Sequence, residues 1–367
     1  MPNKKSLVTE QQVLAALSAV QEPELRNNLV ALNMIRDVQI EDATVRFTVM
    51  LTTRACPFTG RIEEESRQAV MKIPGVKQAI VKMDANTAAD TRIRGQLNIP
   101  VRNTVAVASG KGGVGKSTVT VNLALALAKQ GANVGLMDAD VYGPNIPMMM
   151  GVMDRPRSVN GKIQPIRSYG IKLMSMGFLV EPDQPLVWRG PMLHGVIRQF
   201  LSDVDWGDLD YLLIDLPPGT GDVQLSLAQA VPLTGAIMVT TPQDVALADV
   251  RKGVGAFEKL EVPILGLIEN MSYFICPHCG ERTEIFSYGG GRRAAEQWEI
   301  PFLGEIPLNP DVRLGGDTGK PIVALKPDSL EAKAFHELAQ VIAAKISVLN
   351  MTRKTPGIIA DIPILKH

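Results

Sequence analysis

Val105–Thr118 reads VAVASGKGGVGKST. The valine-rich run Val105–Ala108 ends in a glycine-rich turn, and a helix pattern begins at Ser117. Gly110, Gly115, Lys116 and Ser117 fill the G-x-x-x-x-G-K-[ST] spacing in the strand–loop–helix setting that a phosphate-binding loop requires. Such a loop wraps an anion closely and needs φ > 0, which a side chain hinders, hence the glycines. Its backbone N–H groups and the following helix N-terminus face the anion. The expected cradle is Gly110, Lys111, Gly112, Gly113, Val114, Gly115, Lys116, Ser117 and Thr118, binding a nucleoside triphosphate. Lys116 would neutralise the β and γ oxygens, and the Ser117 hydroxyl would ligate Mg²⁺.

A second lysine, Lys111, sits inside the template. Two lysines cannot easily share one phosphate, so Lys111 is free to serve a neighbouring subunit's nucleotide; a solvated lysine at a loop edge is the competing reading. The loop resembles the deviant Walker A of P-loop ATPases related to the nitrogenase iron protein and the cell-division inhibitors. That resemblance implies ATP as the nucleotide and a homodimer in which Lys111 reaches across a two-fold interface.

The chain has 367 residues, room for two domains. Hydrophobic residues make up 46% and charged residues 21%, as in ordinary globular proteins. Lys+Arg and Asp+Glu are both 38, so no global charge draws the chain to nucleic acid or an anionic membrane. No apolar run reaches the ~18–20 residues that span a bilayer. The MPNKKSLVTEQQ start lacks an apolar core and does not read as a secretory signal. Three cysteines argue against a disulfide framework and for a reducing, cytoplasmic setting.

Residues 1–90 read as a small α+β domain, with helices over Val8–Val20 and Arg61–Met71 and strands at Val38–Ile40, Val45–Leu51 and Gln78–Met83. Residues 91–102 read as a linker and 351–367 as a tail. Over 103–350, near-continuous apolar strands alternate with helices, the pattern of an α/β fold with a mainly parallel sheet. Ligands of such sheets gather at strand C-termini, where Asp138-Ala139-Asp140 and Asp215 fall. Asp215 suits a Mg²⁺-water partner, and Asp140 the orientation of an attacking water. Each could instead cap a helix. The turn Pro217-Pro218-Gly219-Thr220-Gly221 has the composition of a γ-phosphate-sensing switch.

Cys276-Pro277-His278-Cys279 places two thiolates two residues apart. Four sulfurs close a typical zinc or iron–sulfur site, and the remaining cysteine, Cys56, is in another domain. One chain therefore falls short, whereas a two-fold dimer supplies two pairs on its axis. A dithiol redox pair and a dimer-bridging Zn²⁺ stay open beside an iron–sulfur cluster. His278 reads as structural. Cys56 precedes a helix, which makes it either a reactive thiol or a buried structural one. Met148–Met150 read as irregular core packing or as a soft contact patch.

The motifs GKGGVGKST, DADVYGPNIP, WRGPM (Trp188–Met192), DLPPGTGD, ENMS and CPHCG follow the order seen in the Mrp/ApbC iron–sulfur carrier ATPases, which the chain resembles. Residues 1–90 are similar to SufT-type iron–sulfur assembly domains through Pro23-Glu24, Thr52-Thr53 and Cys56-Pro57. Two departures are Glu22 for a usual Asp and Asn33 for a usual Gly. From the Mrp/ApbC pattern the chain departs at Ser287 in Phe286–Gly291, where those carriers usually have Gly. The resemblance implies slow ATP hydrolysis and a labile [4Fe–4S] cluster between two Cys276/Cys279 pairs. It also implies an adenine contact from Asn270, with apo client proteins and assembly scaffolds as partners. A partition or septum-positioning ATPase shares the loop, but the tail's Pro356 and Pro363 break an amphipathic membrane helix. A metal-independent or zinc-bridged ATP-dependent scaffold is the other alternative.

Overall fold

The computed structural model describes residues 8–96, 99–179, 190–219 and 222–354. Trp188, Thr220, Gly221 and positions 355–367 of the tail lie outside them. Two compact units result, one holding residues up to 88 together with 343–354, the other running from 89 to 342.

In the smaller unit, helix Glu10–Leu17 opens with a capping box. The Thr9 hydroxyl accepts the Gln12 N–H, and the Gln12 side chain accepts the Thr9 N–H at 2.9 Å. Strands Ile35–Glu41 and Thr44–Leu51 form a hairpin, and Gln78–Ala85 pairs in parallel with the second strand. The hairpin turns at Asp42, whose φ of +52° suits a short polar side chain that tolerates the left-handed region. Asn33 is left-handed too, at φ +56°, so its place in a glycine position is accommodated. Val13, Leu17, Phe47, Ile62 and Val70 make the core.

The larger unit is built on a nine-stranded sheet. Seven strands are parallel, in the spatial order Ile171–Ser175, Val134–Asp138, Leu209–Asp215, Val101–Ser109, Gly235–Thr240, Ile264–Ile275, Phe302–Leu308. Antiparallel Ile166–Ser168 and Arg282–Thr283 pair with Ile171–Ser175 and Ile264–Ile275. The five strands from Ile171–Ser175 to Gly235–Thr240 are buried almost throughout, as expected where helices cover both faces. Val101–Ser109 lies centrally and feeds helix Lys116–Lys129 through the glycine-rich loop, so the α/β parallel-sheet expectation holds. The stretch 91–102, expected as a linker, contains helix Thr91–Gln96 and contributes Ile93, Ile99 and Val101 to this unit's core. The closing helix runs Leu330–Lys354, and its residues from 343 onward group with the smaller unit.

Candidate functional site

The loop between Ser109 and Lys116 borders a cleft of about 410 Å³ at the C-terminal edge of the sheet. Its glycines are needed for different reasons. A Cβ on Gly110 would run into the backbone of Asp249 and Val250, and one on Gly115 into the Asn270 amide. Gly113 and Gly115 are left-handed, both at φ +81°. Gly112 faces open space. Lys111, Gly112, Gly113, Gly115, Lys116, Ser117 and Thr118 all border the cleft, whereas Val114 is buried.

Lys116 is almost wholly buried and tied to two aspartates: its Nζ is 2.6 Å from Asp215 Oδ2 and 3.6 Å from Asp140 Oδ2. Ser117 Oγ donates to the same Asp215 oxygen at 2.6 Å. Lys111 borders the cleft without a carboxylate within ion-pair distance among the described residues. Asp140 Oδ1 accepts the N–H groups of Tyr142 and Gly143, which folds the following turn around it and leaves its other oxygen toward Lys116. Gly219 N–H donates to Ser109 O at 3.0 Å, bringing the start of the proline-rich turn against the loop strand.

Asp138 emerges as a third carboxylate here. It is in register with Asp215 on the adjacent strand and with Ser175 on its other side. Its oxygens accept from Ser175 Oγ at 2.8 Å and from the N–H groups of Asp140 and Ile146. Burial, and then the neighbouring Asp215, push its carboxyl up to about 8. Burial also raises Asp140, with Lys116 opposing.

Asn270 lies on strand Ile264–Ile275, buried, its Nδ2 donating to Val114 O at 2.8 Å. Its side-chain oxygen takes no part in that bond. The same strand runs on for five residues and delivers Cys276 at the start of an exposed turn. Cys276 N–H donates to Glu281 O and Gly280 N–H to Cys276 O, both at 2.9 Å, closing the turn with Gly280 at φ +74°. Hydrogen bonds from the backbone N–H of Cys279 and then His278, with help from the Cys279 thiol, hold the Cys276 thiol below its ordinary range. Both cysteines are free thiols, and no cluster of three or more metal-ligating side chains occurs among the described residues. His278 is exposed. Arg282 stacks between Tyr273 and Tyr288 at the base of this hairpin, 3.9 and 4.4 Å from the ring centres. Ser287 is left-handed, at φ +80°, which explains why glycine suits that position. Of the methionines, Met150 is buried, Met149 borders the cleft and Met148 is exposed.

Cys56 is a different case. The expected lowering by a helix N-terminus loses to burial, which pushes the thiol up to about 12; the Phe58 N–H bond opposes and Glu24 and Glu22 add to the rise. The structural reading is therefore the better one. Burial first, then Glu22, drive Glu24 up to about 8 against the pull of Lys345. A carboxyl raised in the folded state stabilises below its unfolded value near 4.5, and that contribution is lost as pH climbs toward about 8. Glu24→Gln is thus expected to flatten the decline between pH 5 and 8. At pH 8 it should stabilise the smaller unit by on the order of 2 kcal/mol. Hydrogen exchange of the Thr44–Leu51 amides measures this, and an unchanged pH profile would refute it.

Residues 100–343 match the family model described as NUBPL iron-transfer P-loop NTPase, and residues 10–82 match that of the iron–sulfur cluster assembly protein. An "Iron-sulfur cluster carrier protein" of Synechocystis is 50% identical over 93% of this chain and 99% of its own length. The Escherichia coli K12 protein of that name is 44% identical over 91% of each chain. The "Iron-sulfur cluster transfer protein NUBPL" of Dictyostelium discoideum is 49% identical over 71% of this chain and 82% of its own. Among solved structures, an Archaeoglobus fulgidus nucleotide-binding protein in complex with ADP is 41% identical, with a TM-score of 0.57 over 67% of this chain and 99% of that one. The Pyrococcus furiosus cell-division ATPase MinD is 27% identical, with a TM-score of 0.50 over 65% and 98%. The chain belongs to the NUBPL iron-transfer P-loop NTPase family and carries an iron–sulfur cluster assembly domain at its amino-terminal end.

Proposed function

We propose that the chain is an ATPase that acts as a homodimer, holds a labile [4Fe–4S] cluster between two Cys276/Cys279 pairs, and passes it to apoproteins. The observation carrying this reading is the exposed Cys276/Cys279 turn, with its thiolate favoured by backbone N–H groups and only two thiols in the turn, the third, Cys56, being buried in the smaller unit. The relatives' names lend the class of cargo. Lys116 and the loop from Gly110 to Thr118 bind the phosphates, Asn270 offers its carbonyl to adenine, and Lys111 reaches the partner's nucleotide. Ser117 and Asp215 are hard oxygen donors 2.6 Å apart, a set that fits Mg²⁺, which would draw charge from the phosphates when bound. Asp140 orients the attacking water, and its backbone, stapled by Asp138, keeps that carboxylate beside Lys116.

The carrier is proposed to act in the cytoplasm on apoproteins rather than on nucleic acid or lipid; among the described residues no helix is long and apolar enough to cross a membrane. A Zn²⁺ bridge between the same four thiolates is the reading that competes. Metal analysis of anaerobically purified protein separates them: about four iron and four sulfide per dimer, transferable to an apo-ferredoxin, are expected. Stoichiometric zinc that persists through anaerobic reconstitution would overturn the carrier reading.

A further inference from the structure

Asp215 is fully buried and its carboxylate accepts three short hydrogen bonds. Lys116 Nζ and Ser117 Oγ both meet Oδ2 at 2.6 Å, and Thr120 Oγ1 meets Oδ1 at 2.6 Å. The first two are the groups that a bound nucleotide and its Mg²⁺ call on, so both have another task in the loaded state. Thr120 has none. It lies one helical turn beyond Lys116 on the same face, is fully buried, and does not border the cleft. The Lys116 carbonyl, at 2.9 Å, is the alternative acceptor for its single proton, and the contact to Asp215 Oδ1 is the shorter of the two.

We propose that Thr120 is the positioning residue of the Mg²⁺ site. Its hydroxyl pins Oδ1 of Asp215, so that Oδ2 stays beside Ser117 when Lys116 and Ser117 turn to the phosphates. The need for such a pin comes from the neighbouring strand. Asp138 stands in register with Asp215, a carboxyl beside a carboxyl, and the hydrogen bonds it accepts come from Asp140, Ile146 and Ser175, so that side does not fix the turn of the Asp215 carboxylate. A donor outside the cleft, with no ligand of its own to serve, keeps the acceptor correctly turned. This inference rests on the nucleotide reading of the cleft, and the experiment distinguishes the failure of one from the failure of the other.

The test is calorimetric titration of ADP and ATP with and without Mg²⁺. It uses the full-length protein and its Thr120→Val, Thr120→Ala and Thr120→Ser variants. Valine keeps the shape and removes the hydroxyl; serine keeps the hydroxyl. For Thr120→Val, nucleotide affinity without Mg²⁺ is expected within about twofold of the parent, while the gain that Mg²⁺ adds shrinks roughly tenfold, the scale of one hydrogen bond to a charged group. Thr120→Ser restores the gain. Thr120→Ala repeats the comparison where valine fails to fold. A full Mg²⁺ gain in both hydroxyl-free variants, or its loss in Thr120→Ser, would overturn the positioning role. A parent protein that binds neither nucleotide would instead bring down the reading beneath it.

Discussion

Lys116→Ala is expected to weaken nucleotide binding by roughly 100-fold or more, the combined scale of two charge-assisted hydrogen bonds to phosphate. The same change removes the buried cation that lies 2.6 Å from Asp215 and 3.6 Å from Asp140. Three buried carboxyl groups, Asp138 among them, then lie together without a cation. Lys116 lowers both Asp138 and Asp140, so its loss raises each further. Carboxyls raised in the folded state stabilise at low pH, and that contribution fades as pH rises through the folded value. The Lys116→Ala protein is therefore expected to match its parent more closely at pH 5 than at pH 8. At pH 8 an uncompensated buried charge costs about 3–5 kcal/mol. Lys111→Ala provides the contrast, because that side chain has no carboxylate partner among the described residues. Its nucleotide affinity should stay within about threefold, while hydrolysis falls by roughly 100-fold or more, in the manner of charges supplied in trans. Calorimetry and phosphate release measure the two effects separately. Normal hydrolysis by Lys111→Ala would refute the cross-subunit role.

Much of this site was legible in the sequence, because the phosphate loop and the two acidic strand ends are local patterns set by spacing. Lys116, Ser117, Asp140 and Asp215 duly meet at one edge of the sheet. The placement of Asp138 was not legible. Its pairing with Asp215 and Ser175 depends on strand order, which departs from chain order, and Ile171–Ser175 follows a polar, glycine-containing stretch that carries no alternation. Thr120 was hidden for a similar reason: a threonine in an apolar helix reads as packing until the opposing strand is known. Asn270 shows the reverse, since a residue singled out for a base also holds the loop, through Val114. Cys56 followed the local rule of a thiol before a helix, and the tertiary burial that decides its chemistry is absent from any local window.

Serine in place of either Cys276 or Cys279 is expected to remove more than about 90% of bound iron and sulfide, as much as the double substitution does. In a dimer each single change takes away two of four thiolates, and two remaining sulfurs cannot close a cluster. The fold should survive, because the turn lies on the surface, its backbone bonds from Cys276 and Gly280 do not involve the sulfurs, and Arg282 clamps the hairpin below it. Nucleotide affinity should stay within about twofold, since Asn270, the proposed base contact, lies six positions back along a strand anchored by its own hydrogen bond. The two serine variants should differ in one respect. Cys276 is the sulfur that receives the N–H groups of Cys279 and His278, so its pair partner cannot take over that stabilised thiolate. Zinc or cadmium titration of the apo protein at pH 6 should therefore show a weaker residual site in Cys276→Ser than in Cys279→Ser. A single variant that retains half or more of its iron would mean that ligands other than these four thiolates hold it.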